Sequence, residues 1–184
     1  MIDAIAELGS PGLCVTTVLL FAAWMQGVGL SRTVQGFVLG VSAVAAATLM
    51  LKWLVATPDD ALWPDSALTS QYFPSGHAAL AAALYGSVAT ALARTGGGAW
   101  RYMPFGALAL ASAVALARVA VRAHPAGDAV AGLIIGMIAP ASTYFGMVRE
   151  AKAFPGASRI FGAFIVALLF GWLLPAPVVA LLPF

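Results

Sequence analysis

Apolar runs near twenty residues recur along this chain, at about 11–30, 33–54, 77–94, 102–121, 126–148 and 159–182. Each is long enough to cross a bilayer core of about 30 Å as a helix. Lipid offers backbone N–H and C=O groups no partner, so such a segment must satisfy them internally. The runs therefore predict an all-α polytopic membrane protein, a bundle of six transmembrane helices forming one domain over residues 1–184. Composition excludes an ordinary soluble domain: 62% of the residues are hydrophobic, against roughly 45–50% in soluble domains.

Turn signals separate the runs. Thr57-Pro58-Asp59-Asp60, Trp63-Pro64-Asp65 and Phe73-Pro74 mark 55–76 as a loop, and Pro175 and Pro177 break the end of the sixth run. Trp53, Trp63, Tyr72 and Phe73 suit the aromatic belt at a membrane interface. Two small-residue pairs, Gly36 with Gly40 and Gly132 with Gly136, have the spacing that lets helices approach closely. They predict contacts inside one bundle rather than a dimer seam.

Six crossings sort the charges onto two faces. Arg32, Arg94, Arg101, Arg149, Lys152 and Arg159 share one face with a single acid, Glu150. Lys52, Arg118 and Arg122 share the other with Asp3, Glu7, Asp59, Asp60, Asp65 and Asp128. Basic residues accumulate on the cytoplasmic side, so the second face and both termini are expected outside. The compact bundle suggests a bacterial inner membrane, which would make that outside the periplasm. The formal charge is only +2 and its basic residues are scattered singly, so nucleic acid is not an expected partner. Cys14 is the one cysteine and excludes an intramolecular disulfide. The acidic start, with Asp3 and Glu7, lacks the positive region of a cleaved signal peptide.

Chemistry concentrates in two segments, 52–77 and 118–128. Pro74-Ser75-Gly76-His77 precedes the third run. Ser75 suits an N-cap, Gly76 leaves the backbone open, and a helix start favours a phosphate oxygen. The competing reading is an ordinary capped span with a snorkelling histidine. Arg118, Arg122, His124 and Asp128 fall within eleven residues. His124-Pro125 suits a helix start, and Asp128, one turn on, can accept a hydrogen bond from His124. That bond would set the tautomer and raise the nucleophilicity of the other ring nitrogen; alternatively it only satisfies two polar groups. The planar fork of Arg118 suits phosphate, while Arg122 fits either phosphate or lipid headgroups. Two histidines and an aspartate can also ligate zinc. Two arginines and Lys52 beside them would repel a cation, so no metal and no cofactor is expected.

Pro74-Ser75-Gly76-His77 followed by Arg118-x5-His124-x3-Asp128 resembles the second and third signatures of the type 2 phosphatidic acid phosphatase family. The similarity covers roughly residues 50–140. It implies a metal-independent six-span phosphatase in which His124 is the nucleophile, Asp128 orients it and His77 protonates the leaving oxygen. Lys52, Ser75, Gly76 and Arg118 would bind phosphate oxygens. Two departures stand out. The family's first signature is Lys-x6-Arg-Pro, whereas Lys52 is followed seven residues later by Asp59 and then Asp60; Ala117 replaces the serine before Arg118. Arg122 is the candidate to replace the missing arginine.

The expected substrate is a lipid phosphate or diphosphate whose tail stays among the membrane lipids. Two other outcomes fit the same residues. A phosphotransferase would pass the phosphoryl group to a lipid or sugar hydroxyl. A non-catalytic lipid-phosphate binder or transporter would retain the pocket without turnover.

Overall fold

A computed structural model describes residues 1–55, 73–150 and 153–173. Trp63, Tyr72, Asp59, Asp60, Asp65, Lys152, Pro175 and Pro177 lie outside the described residues, as does most of the 55–76 loop. The elements are α1 (Ile2–Glu7), α2 (Pro11–Gly27), α3 (Ser31–Val55), α4 (Gly76–Thr95), a 3-10 turn (Gly98–Tyr102), α5 (Met103–Ala120), α6 (Ala126–Gly136), α7 (Ile138–Val148) and α8 (Ala157–Leu173). Among the described residues every regular element is helical.

Four segments are long and apolar enough to cross a membrane: Ser31–Val55, Gly76–Thr95, Gly98–Ala120 and Ala126–Val148. They mark the chain as a membrane protein. The expected count of six is not reached among the described residues. The helices α2 and α8 have 17 residues each, which at 1.5 Å per residue is about 26 Å, just short of a bilayer core. The expected continuation of the sixth run to 182 lies beyond the described residues.

Two further differences have local causes. The fifth run is two helices, α6 ending at Gly136 and α7 beginning at Ile138. Pro140 has no N–H for the carbonyl four residues back and its ring crowds that turn. Its ring seats against Gly86, where an added Cβ would fall 2.7 Å from Pro140 Cγ. The stretch before the first run folds as α1 and packs against α5.

Small side chains let α4 sit at the centre. From Ala78 to Leu92 it is almost entirely buried, and seven alanines in that stretch allow α2, α3, α5, α6, α7 and α8 to pack around it. Phe164 joins Phe21 and Tyr85 edge-on, locking α8 to α2 and α4. The glycine pairs serve packing inside the chain. Gly36 and Gly40 lie against Ser142, Ala139 and Gly146 of α7, and Gly132 and Gly136 lie against the α4 backbone.

Helix ends sort into two groups. At one end the carboxylate of Glu150 accepts from the backbone N–H groups of Arg32 (2.9 Å) and Thr33 (3.2 Å), capping α3 from across the bundle. Arg94 stacks over Tyr144 at the same end, 5.0 Å from the ring centre. The starts of α4 and α6, the end of α5 and the Lys52 end of α3 gather at the other. Both histidines belong to that second group.

Candidate active site

The start of α4 and the start of α6 are joined through their backbones. The Ser75 N–H donates to the Asp128 carbonyl at 3.0 Å. An added Cβ on Gly132 would fall 2.4 Å from the Ser75 carbonyl oxygen, so only glycine lets α6 lie this close. Ser75 occupies the N-cap position of α4, yet its side chain makes no capping bond. Its Oγ is fully buried and has no hydrogen-bond partner among the described residues. Gly76 opens toward α3: a Cβ there would lie 3.9 Å from Lys52 Cε, which brings the half-buried lysine to the helix start.

The end of α5 explains the position of Arg118 relative to His124. Arg122 adopts φ 56, its N–H donates to the Val119 carbonyl at 3.0 Å, and the Ala123 N–H donates to the Arg118 carbonyl at 3.0 Å. This is a Schellman turn with an arginine at the left-handed position glycine usually fills. The His124 N–H also reaches the Arg118 carbonyl, at 3.4 Å. The Arg118 Nε is buried without a partner among the described residues. Arg122 is exposed, and among the described residues its guanidinium has no hydrogen-bond or ion-pair partner.

Pro125, rather than a first-turn position, is the N-cap of α6. Asp128 then falls in the first turn and is fully buried. Its Oδ2 lies 3.1 Å from His124 Nδ1, so the hydrogen on Nδ1 points at the carboxylate and the lone pair sits on Nε2. Burial pushes His124 below its ordinary pKa, the Asp128 hydrogen bond opposes that shift, and the Lys52 charge adds to it. The charges of Arg118, His124 and Lys52 all act on His77. The structure thus gathers Lys52, Ser75, Gly76, His77, Arg118, His124 and Asp128, and leaves Arg122 at the rim.

An orphaned buried donor costs about 1–3 kcal/mol. Thr17 and Ser87 also carry buried hydroxyls with no partner among the described residues, inside helices of the apolar interior. Ser75 and Arg118 differ because theirs stand among charged groups, where an anion's oxygens would satisfy both. Among the described residues no three His, Cys, Asp or Glu side chains stand together as metal ligands. The donor set is cationic and suits phosphate. Gly9, which contacts the His77 backbone, and Glu150, which caps α3, were not singled out by residue type or spacing.

The architecture and these groups define a helical membrane protein with a histidine-centred, anion-holding site. A family model described as the PAP2 superfamily matches residues 36–152, and the chain belongs to that superfamily. The matched stretch contains every residue of the cluster, and membership supports phosphatase activity. No curated protein and no solved structure matches the chain.

Proposed function

We propose that this protein is a metal-independent phosphatase that hydrolyses a lipid phosphate or diphosphate through a phosphohistidine. The observation that carries the reading is the buried His124–Asp128 pair, 3.1 Å apart, together with the Ser75 Oγ and Arg118 Nε, which have no partner among the described residues. His124 Nε2 attacks phosphorus and the P–O bond to the lipid breaks. His77 gives its proton to the leaving oxygen. Asp128 holds the ring and stabilises the positive charge that develops on it. Lys52, Ser75, Gly76 and Arg118 bind the phosphoryl oxygens, whose charge grows in the transition state. Water, losing a proton to His77, then releases phosphate and restores His124.

In this proposal α2 and α8 complete six crossings, and the arginine-bearing end faces the cytoplasm by the positive-inside rule. The site then opens at the outer leaflet, the periplasmic face of a bacterial inner membrane, and the substrate tail stays in lipid. The test is phosphate release by purified protein from a panel of lipid phosphates, with chelator present. Turnover should persist with chelator and vanish in His124→Ala. Turnover that stops with chelator and survives His124→Ala would overturn the reading.

A further inference from the structure

The N-terminal segment lies outside the stretch matched to the PAP2 superfamily, yet it touches the candidate site. A Cβ built on Gly9 would fall 2.4 Å from the His77 carbonyl oxygen, 3.0 Å from its carbonyl carbon and 2.8 Å from Val114 Cγ1. The nearest of these is backbone in the first turn of α4, where it cannot rotate aside as a flexible side chain would. The Leu8–Gly9 turn is itself tethered. The Tyr85 hydroxyl donates to the Leu8 carbonyl at 2.7 Å, the Gly9 N–H donates to the Ala6 carbonyl at 3.2 Å and the Ser10 N–H to the Glu7 carbonyl at 2.9 Å. Ala6 is buried, with α1 packed on α5.

We infer that Gly9 is a positioning residue for His77, and that residues 1–10 are a brace for the site rather than a leader to the first span. The inference rests on the proposed role of His77 as proton donor. The first turn of α4 is gripped on two sides: Gly132 of α6 bears on the Ser75 carbonyl and Gly9 bears on the His77 carbonyl, each where an added Cβ would fall at 2.4 Å. The first contact registers α4 against the nucleophile's helix. The second sets where the imidazole of His77 starts from. Restoring an ordinary contact of 3.4 Å after Gly9→Ala needs about 1 Å of movement. Misplacing a reacting group by that much costs on the order of 100-fold in rate.

The experiment uses full-length protein in detergent with ¹⁵N-labelled histidine. The chain has two histidines, so the ring resonances are assigned with His124→Ala alone. Gly9→Ala should move the His77 resonances more than those of His124. It should lower kcat for lipid-phosphate hydrolysis roughly 10- to 100-fold while KM stays nearly constant. Tyr85→Phe, which releases the turn without a clash, should act in the same direction and less strongly, and it decides the matter if Gly9→Ala does not fold. Gly106→Ala, with nothing within 4 Å of its Cβ, should change neither readout. Unmoved His77 resonances, equal shifts in both rings, or an unchanged kcat in the variants would overturn the inference. Wild-type protein inactive toward every lipid phosphate would instead defeat the proposed function, and the resonances would still report the brace.

Discussion

Arg122 separates two explanations that one substitution cannot. As a charge it is the candidate to replace the arginine missing seven residues after Lys52; as backbone it is the left-handed residue of the turn that ends α5. A guanidinium hydrogen-bonded to a phosphoryl oxygen contributes about 1.5–3 kcal/mol, so losing it would slow turnover roughly 10- to 100-fold. An L-residue at φ 56 is disfavoured relative to glycine by about 1 kcal/mol. Arg122→Ala removes the charge and keeps that strain, while Arg122→Gly removes both. The side chain is exposed and unpartnered among the described residues, so both variants should keep phosphate release within about threefold of wild type. Arg122→Gly should melt above Arg122→Ala by about 2–4 °C, the shift that 1 kcal/mol gives a chain of this size. Release is assayed on a lipid phosphate in detergent, and melting on the same samples. A loss of tenfold or more in both variants would refute the backbone reading, as would an Arg122→Gly protein that melts below Arg122→Ala.

Asp128→Asn should cut kcat at least about 100-fold with little change in folding, because an amide no longer stabilises the charged ring of His124; kcat and a melting curve on one preparation check both halves. Burial lowers the His124 pKa from 6.5, and in the proposed mechanism the neutral ring is the nucleophile. The acid limb of kcat/KM should therefore climb with pH through an apparent pKa below 6.5. The same depression means the unfolded chain binds more protons below 6.5, so the stability from this group is present above that pH and lost as pH falls. Glu150→Gln should lower the melting temperature by weakening the charged cap on α3, worth about 1 kcal/mol. Turnover at the opposite end should not change.

The helical architecture was legible because lipid leaves a chain one way to satisfy its backbone, and hydropathy alone finds those stretches. The site was legible because ionisable groups are rare in such a chain: His77, Arg118, His124 and Asp128 stand out against alanine and leucine. What stayed hidden is governed by contacts between segments distant in sequence. Nothing near Gly9 in sequence announces that it rests on His77. Glu150 reads as a stray acid until α3 and α7 are packed and its carboxylate meets the Arg32 and Thr33 N–H groups. Ser75 has the residue type of a cap, but its hydroxyl makes no capping bond and has no partner among the described residues. Sequence leaves Arg122 open between phosphate and lipid headgroups; the turn geometry makes the Arg118 guanidinium buried at Nε and that of Arg122 exposed.

The six-residue step from Arg118 to His124 is itself a physical consequence of that turn. A helix cannot pass directly from α5 into α6, because the chain must reverse at the membrane face. The Schellman turn reverses it within Val121–Ala123 and uses the Arg118 carbonyl as acceptor for both Ala123 and His124. The carbonyl that ends α5 thereby holds the backbone of the candidate nucleophile, while the side chain of the same arginine points a buried Nε among the cationic groups. One residue more or fewer between them would break this shared acceptor and displace Arg118 from the His124–Asp128 pair, which stays tied to α4 through the Asp128 carbonyl and Ser75. Spacing in this segment is thus a hydrogen-bonding constraint. An alanine inserted after Val121 should abolish turnover, although it removes no charged or titratable group.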